Sequence, residues 1–407
     1  MSGGAVLRAW WRQGVQALAS PGFVGPVARV ALRLRGLGGS GTWQGFGAIE
    51  RLAVIRHDGL GDLVVTTGFL RELRRAAPRA HITLVTRPEW IEAMAACPHV
   101  DGVVGFPVVF SARWTLHRNI WAAWLFARRE LWPRRFQAVL VPQAAFSLFE
   151  ARFLALFSGA PVRIGRRDAA SDPAGAGWGL LTRVEETPVG EHEAESCARF
   201  LRALGAGAAD PRLELHWSAT ADREASTRVP AAFGNGGWIA LGVGASQREK
   251  LWPLERFVEI ARRMRARGWP LVLVGGGDLS EPAARLAREI GEGVLDLTGR
   301  LSLPATASLL SRCRLYVGND TGPMHVAAAV GVPVVEIVGW PADVSPAVGG
   351  TPMRIGPFCA HRRIVQPAEP GLPPMVQIGR VTVDDVWHAV ESLHAETSRF
   401  VPGGKHG

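Results

Sequence analysis

The stretch VGNDTGPMHVAAAVGVP, residues 317–333, decides how the rest of the sequence is interpreted. Residues 319–321 (Asn, Asp, Thr) are types that commonly begin helices, and Pro323 suits a first helical turn. Apolar residues follow until Gly331, which favours the end of a helix. The apolar run CRLYV just upstream predicts a buried strand. The stretch is therefore predicted to be a strand, a polar turn and a short helix.

A turn of this kind has a chemical consequence. It directs free backbone N–H groups and the positive end of a helix dipole toward one point, which suits a bound phosphate. The alternative is a well-capped connection between a strand and a helix that binds nothing. The stretch alone leaves both interpretations open.

The composition narrows the class of protein. The 407 residues suffice for two domains, and 47% hydrophobic with 20% charged residues indicates a globular chain. Four cysteines lie far apart without a CxxC pair, which argues against a disulfide framework or a structural zinc site and fits a reducing compartment. The net charge of +10 favours an anionic partner.

Two segments combine basic and aromatic residues. In residues 1–48 arginines interrupt every apolar run, so we expect neither a signal peptide nor a span of about 18 apolar residues. This extension either lies in a membrane interface or packs on the first domain. Residues 112–136 interleave tryptophan and arginine, either as an amphipathic helix or as a face for a membrane or anionic acceptor. No nucleic-acid motif accompanies them, so no nucleic-acid partner is predicted.

The remaining chain alternates strands and helices in two series. The first contains LAVIRHD, HITLVT, VDGVVGF, FQAVLVP and PVRIG, and the second runs from WIALGVG to PVVEIVG. Such alternation predicts an α/β fold of two doubly wound parallel sheets, with ligands bound beyond the carboxyl ends of the strands in a cleft between the domains. The predicted organisation is an extension at 1–48, a first domain at 49–215, a linker at 216–236, a second domain at 237–380, and a C-terminal helix and tail at 381–407.

Two loops carry further candidate chemistry. HDGLGD (57–62) follows the first strand, and its Asp62 either complements a helix dipole or accepts a proton from an acceptor hydroxyl. GASQREKLWPLERF (244–257) contains Lys250, which either meets a phosphate as a point charge or is a solvated loop lysine. The sequence contains no DxD, HExxH, GxxxxGK[ST] or GxSxG motif, and HDGLGD after the first strand does not fit GxGxxG. A diphosphate site would therefore rely on a basic loop and a helix N-terminus, with no metal ligand predicted.

Together, GLGDLVVTTGFLRELRRAAP, GASQREKLWPLERFVEIA, LVLVGGGDLSEPAARLA and the long run from DLTGRL to VVEIVG resemble glycosyltransferase family 9, the ADP-heptose heptosyltransferases. The resemblance covers most of residues 50–340. It implies a GT-B fold, two Rossmann-like domains facing a central cleft, and inverting, metal-independent transfer of a heptose. The implied partners are ADP-heptose and a lipopolysaccharide inner-core or related glycan acceptor, without a cofactor, in the cytoplasm or at the cytoplasmic face of the inner membrane.

The resemblance also implies roles for individual residues. Asp62 matches the general base of the family, with Gly61 and Arg56 on the acceptor side. Donor binding is implied for Ser246, Lys250, Glu281, Asp320, Thr321, Gly322 and His325. Two other readings stay open: a glycosyltransferase of the same fold with another nucleotide sugar or acceptor, and a non-catalytic protein that keeps the nucleotide site. An oxidoreductase is disfavoured because HDGLGD, the glycine turn after the first strand, is not the GxGxxG fingerprint.

Overall fold

The structure is a computed structural model that describes residues 21–107, 116–143, 150–168, 178–245, 247–345, 348, 350–369 and 378–397. The chain divides into two compact units. Within the described residues, unit 1 comprises 21–58, Phe69–Glu191 and Glu195–Pro211. Unit 2 comprises Gly59–Gly68, His192–Ala194 and the chain from residue 212 onward.

Each unit is built on a parallel sheet of six strands. The strands of unit 1 are β1 Arg51–Ile55, β2 His81–Thr86, β3 Gly102–Gly105, β4 Ala138–Val141, β5 Val162–Asp168 and β6 Arg183–Thr187. Those of unit 2 are β7 Ile239–Gly242, β8 Leu271–Leu273, β9 Val294–Asp296, β10 Leu315–Asn319, β11 Val334–Ile337 and β12 Arg362–Val365. The orders are β3-β2-β1-β4-β5-β6 and β12-β11-β10-β7-β8-β9. Both are the Rossmann order: successive strands are added toward one edge of the sheet and then, from β4 and from β10, toward the other edge, so the switch points lie between β1 and β4 and between β7 and β10.

Helices connect the strands. Numbered along the described chain, they are α1 Pro21–Arg33, α2 Leu60–Val65, α3 Thr67–Ala76, α4 Ile91–Met94, α5 Leu116–Phe126, α6 Glu150–Phe157, α7 Glu193–Ala203, α8 Ala219–Arg228, α9 Leu254–Ala266, α10 Ser280–Ile290, α11 Leu303–Leu310, α12 Gly322–Ala329, α13 Pro352–Ile355 and α14 Val383–Thr397. A turn of π-helix, Ala127–Leu131, extends α5.

The core of unit 1 shows how the basic and aromatic segment packs. Leu32 of α1, Phe126 of α5 and Phe153 of α6 are buried in one cluster against the sheet. The indole of Trp124 meets the ring of Phe157 edge to face at 5.3 Å between centroids. One side of the segment is therefore an ordinary core-facing helix surface, as one of the two sequence interpretations holds.

The core of unit 2 lies on both faces of its sheet. Along β10, Leu315 and Val317 point into one cluster and Tyr316 into the other, since successive side chains of a strand face opposite sides. Helices α9 and α14 cover the first face, whereas α11 and α12 cover the second. The strand–turn–helix prediction for residues 317–333 is confirmed by β10 and α12.

The structure adds elements that the sequence pattern did not predict. Strands β6 and β12 form sheet edges and are rich in charged residues, so they lack the apolar run that marks a buried strand. Within the segment interpreted as a linker, Ala219–Arg228 forms α8, and the hydroxyl of Ser218 caps it by accepting the N–H of Ala221 at 3.3 Å. That part of the segment is therefore an ordered helix.

The described part of the N-terminal region contains one α-helix, α1. Helix α1 packs on unit 1 through Ala28 and Leu32, while the two tryptophans of the extension, Trp10 and Trp11, lie outside the described residues. None of the helices in the described ranges has both the length and the apolarity needed to cross a bilayer.

Candidate functional site

The site forms at the carboxyl ends of β7 and β10, the central neighbours of the unit 2 sheet. After β10 the chain passes through Asp320 and an extended Thr321 (φ −149°, ψ 167°) into α12. The hydroxyl of Thr321 donates to the carbonyl of Asn319 at 3.3 Å and makes no cap on the helix. The first turn of α12 therefore has no side-chain cap, at the position where doubly wound folds bind ligands.

Lys250 joins this point from the loop after β7. Its Nζ lies 2.5 Å from Oδ2 of Asp320, and both side chains are largely buried. The ion pair fixes a positive charge beside the N-terminus of α12, although the two residues are 70 positions apart in the chain. The structure thus brings Lys250, Asp320, Thr321 and Gly322 together, as the donor-site prediction requires.

Asn319 fixes the loop that carries Lys250 to the end of β10, a role that the sequence interpretation missed. Its side chain is fully buried at the end of β10. The amide Nδ2 donates to the carbonyl of Gly244 at 3.1 Å, and Oδ1 accepts the backbone N–H of Trp252 at 3.2 Å. One side chain therefore ties both ends of the Lys250 loop to the strand that carries Asp320. A buried asparagine at the end of an apolar strand was the available signal.

His325 lies one turn into α12 and is buried. Its Nε2 is 3.9 Å from Oδ1 of Asp320. Burial lowers the pKa of His325, opposed by the charges of Asp320 and Asp62. The imidazole is therefore kept neutral more readily than a solvated histidine.

Two close approaches bring α2 against α12 within unit 2. A Cβ on Gly61 would lie 2.4 Å from Cδ2 of His325, and one on Gly322 would lie 2.7 Å from Cδ2 of Leu60. Both glycines are thus required by direct contact between the first turns of the two helices. This contact brings the Asp62 turn to the D-T-G-x-x-H segment.

Asp62 occupies the first turn of α2 and is half-buried. Its Oδ2 accepts the backbone N–H of Gly59 at 3.2 Å, so the carboxylate satisfies one of the orphan donors of the helix. The dipole-complement interpretation therefore describes part of what this residue does. The carboxylate also lies close enough to His325 to influence its pKa.

A recess opens beside the ion pair. It is lined by Glu249, Lys250, Asp320, Ile337, Val338, Gly339, Trp340 and Ile378. Polar groups line one part and apolar side chains with an indole line the other. Such a mixture suits a ligand with a charged portion and a flat or apolar portion. Sequence analysis did not identify Trp340 as a site residue.

Glu336 is a second residue that the sequence interpretation missed. It lies on β11, paired in register with Gly318, and its side chain is buried. Burial raises the pKa of Glu336 well above its ordinary value, and the charge of Asp320 raises it further. Its Oε2 makes no hydrogen bond within the described chain. Glu336 therefore keeps its proton to a higher pH than a solvated glutamate does.

The other predicted residues lie elsewhere or are not described. Glu281 is exposed in the first turn of α10, and in the described chain it makes no hydrogen bond or ion pair with Lys250 or Asp320. Ser246 lies outside the described residues. Arg56 belongs to unit 1, where it is buried with Nε 3.0 Å from Oδ1 of Asp58.

Two Rossmann-type sheets of equal strand order in one chain define the GT-B class of glycosyltransferases, and solved structures agree. The family 9 glycosyltransferase of Veillonella parvula aligns with a TM-score of 0.70 at 23% identity, covering 87% of this chain and 99% of that one. Escherichia coli heptosyltransferase WaaC with ADP aligns with a TM-score of 0.63 at 20% identity, covering 84% and 99%. The predicted fold class is confirmed.

The family follows from the sequence match. Residues 125–342 match the family described as Glycosyltransferase family 9 (heptosyltransferase), and the chain belongs to this family. Lipopolysaccharide heptosyltransferase 1 of Pseudomonas aeruginosa is 29% identical over 297 residues, 71% of this chain and 78% of the relative. The core heptosyltransferase OpsX of Haemophilus influenzae is 22% identical over 301 residues, 72% and 80%. The resemblance inferred from the motifs is confirmed.

Proposed function

We propose that this glycosyltransferase moves a heptose from ADP-heptose to a hydroxyl of a lipopolysaccharide inner-core or related glycan acceptor, with inversion and without a metal. The observation that carries the proposal is the Lys250–Asp320 ion pair at the uncapped first turn of α12. It puts a fixed cation and a helix N-terminus at one point, and both stabilise an anion.

The donor diphosphate is proposed to bind at this point. Lys250 meets it as a point charge, and the backbone N–H groups of Thr321 and Gly322 donate to its oxygens. The raised pKa of Glu336 favours its neutral form, which repels the diphosphate less than a carboxylate would. As the glycosidic bond breaks, negative charge grows on the leaving ADP, and these groups stabilise it without a metal.

The choice of donor is supported by relatives and by the recess. E. coli WaaC has been solved with ADP and with ADP-2-deoxy-2-fluoro heptose. In this chain, the recess lined by Lys250 and Trp340 puts a cation and an indole beside each other, which suits the phosphate and the adenine of such a donor. Ser246 and Glu281 complete the proposed donor contacts, to the phosphates and to the ribose respectively.

Asp62 is proposed to act as the general base. It removes the proton of the acceptor hydroxyl as that oxygen attacks the anomeric carbon from the face opposite to ADP, which inverts the configuration. The acceptor oxygen forms the new glycosidic bond, and ADP departs with the electron pair of the old one. His325, held between Gly61 and Asp320, keeps the Asp62 turn beside the donor segment. Gly61 and Arg56 are proposed to lie on the acceptor side.

A glycan acceptor carried on a lipid places the reaction at a membrane surface. We therefore propose that the protein works as a peripheral enzyme at the cytoplasmic face of the inner membrane. Two relatives support this proposal: one is a lipopolysaccharide heptosyltransferase and the other a lipopolysaccharide core heptosyltransferase.

Calorimetric titration in a chelating buffer tests the proposal. The full chain is titrated with ADP, ADP-heptose, UDP and UDP-glucose, and the Lys250→Ala variant is compared with Lys405→Ala, which removes the only other lysine. The proposal predicts a preference for the adenine ligands that Lys250→Ala loses and Lys405→Ala keeps. A preference for uridine ligands would overturn the donor assignment, and no binding at all would overturn the activity.

A further inference from the structure

Unit 1 exposes apolar side chains on two of its helices. Val27 and Val30 lie on α1, Leu34 follows its last residue, and Trp121 and Leu125 lie on α5. Leu34 is 83% exposed and Trp121 is 63% exposed. We call these five residues the α1–α5 face. They recur at helical spacing, 27-30-34 and 121-125, so each helix has an exposed apolar stripe besides its buried one.

The two stripes belong to helices that share one core cluster. Helices α1 and α5 both pack against α6 and contribute to one core cluster. At their C-terminal ends, the guanidinium of Arg35 lies 5.4 Å from the centre of the Trp132 indole ring. The exposed stripes are thus parts of one region of unit 1.

The charges around this region have one sign. The described residues 24–49 and 120–143 together contain seven arginines against one acidic residue, Glu130. That carboxylate is shared by Arg129 and Arg134. Arg33 and Arg128 are exposed, and across the ranges that the structure covers neither forms an ion pair. The region therefore presents uncompensated positive charge beside exposed apolar groups.

We propose that the α1–α5 face docks on an anionic lipid bilayer. Trp121, Leu125 and Leu34 enter the interface between headgroups and acyl chains, and the arginines pair with lipid phosphates. A second copy of the chain suits the face less well, because an isologous contact would bring the arginines of both copies together. This inference rests on the proposed function, since it names the surface that brings the enzyme to a lipid-borne acceptor. Lipid binding is measured without donor or acceptor, so its failure is distinguishable from a failure of the transfer reaction.

Vesicle flotation of the full chain tests this inference. Vesicles that contain phosphatidylglycerol are compared with vesicles of phosphatidylcholine alone, at low and at raised salt. Each arginine near an anionic surface strengthens binding by about fivefold. We expect Arg33→Glu with Arg128→Glu to weaken binding to phosphatidylglycerol vesicles by tenfold or more, on the order set by that value. Trp121→Ser with Leu125→Ser should weaken it by roughly tenfold at either salt concentration.

The matched control is Arg79→Glu with Arg223→Glu, which makes the same change in net charge at exposed positions that belong to neither α1 nor α5. It should bind vesicles as the unchanged protein does. Thermal unfolding and ADP titration of every variant show whether it is folded. Equal binding to both vesicle types, or equal losses in the control and the face variants, would overturn the proposal. Self-association that Trp121→Ser abolishes, without any binding to lipid, would assign the face to a second copy instead.

Discussion

Lys250 is one of only two lysines among the 46 basic residues of the sequence. Everywhere else except in the C-terminal tail, the chain uses arginine for a positive charge. At this position the ammonium lies 2.5 Å from Asp320. A compact cation on a flexible stem can keep that ion pair and still face a phosphate, whereas the planar guanidinium fork has a different reach and geometry. The geometry beside Asp320 therefore explains why this position carries a lysine and not an arginine.

Lys250 can be followed chemically because so few lysines compete with it. We expect ADP to protect Lys250 from an amine-reactive acetylating reagent, while Lys405 reacts at an unchanged rate. Peptide mass spectrometry measures both sites in one sample. Lys250→Arg should bind ADP roughly tenfold more weakly, on the order of a lost charged hydrogen bond. Equal acetylation of Lys250 with and without ADP would contradict its assignment to the diphosphate.

Asp62 has a structural and a proposed chemical role, which one substitution separates. Asp62→Asn keeps an oxygen that can accept the Gly59 N–H but removes the base. We expect turnover to fall by about a hundredfold to ten-thousandfold. ADP affinity and thermal stability should change little. Steady-state kinetics and calorimetry measure these quantities, and near-normal turnover in Asp62→Asn would remove the base assignment.

The contact between α2 and α12 positions Asp62 beside the donor segment, so the proposed mechanism depends on it. Gly61→Ala puts a methyl group where Cδ2 of His325 is 2.4 Å away, so one helix must move. We expect a loss of about 1–3 kcal/mol in unfolding free energy, the usual cost of overpacking. Turnover should fall more than tenfold, on the order reported for an ångström-scale misplacement of a catalytic group.

Gly207→Ala is the matched control for this prediction, because a Cβ there meets nothing within 4 Å. Chemical denaturation and kinetics are compared for both variants. If Gly61→Ala behaves like Gly207→Ala, the close packing of α2 on His325 does not position Asp62.

The elements also show how far the sequence could be interpreted. The central strands were predictable because parallel strands buried on both faces are nearly continuous apolar runs, as in HITLVT for β2. The edge strands β6 and β12 carry arginine and glutamate on partly exposed faces, so periodicity does not distinguish them from loops. Helix α8 could not be predicted from the sequence because its small polar residues also favour turns.

The site was predictable to a similar degree. The D-T-G-x-x-H segment and Lys250 are marked by residue type and by family resemblance. Asn319, Trp340 and Glu336 were not, because their roles depend on which loops meet at the end of the sheet. Burial of Glu336 beside Asp320 is a three-dimensional fact that a single glutamate in an apolar strand does not reveal.

At the scale of the whole molecule, the chain crosses between its units more than once. Gly59–Gly68 and His192–Ala194 lie within the N-terminal half of the sequence but pack with unit 2. His192 is held there by its Nε2, 3.1 Å from the carbonyl oxygen of Gly356, and by a ring contact with Phe358. Sequence composition places domain boundaries at single points, so insertions of this size could not be predicted.

The stability of the molecule should depend on pH through a buried histidine. Burial lowers the pKa of His57 from 6.5 to about 3, with the charges of Arg56 and Arg87 lowering it further. Between pH 6.5 and about pH 3, the His57 side chain is protonated in the unfolded chain but neutral in the folded chain. The unfolding free energy should therefore fall as the pH is lowered through this window, by up to about 1.4 kcal/mol per pH unit.

His57→Phe removes this proton uptake and keeps an aromatic ring beside Phe106. Denaturant unfolding at pH 7 and pH 5 should show a smaller loss of stability for His57→Phe than for the unchanged chain. His192, whose pKa is lowered to about 4 by burial, adds a similar but weaker dependence. The same pH dependence in both proteins would show that folding does not lower the pKa of His57.

The most direct test of the central claim is a transfer assay in a chelating buffer with the full chain, ADP-heptose and a lipopolysaccharide inner-core acceptor. ADP release and the mass of the acceptor are followed together. If the proposed function is right, the acceptor gains one heptose for each ADP released, Asp62→Asn stops both, and the new linkage has the inverted configuration. ADP release without a change in acceptor mass, or transfer only after a divalent metal is added, would contradict it.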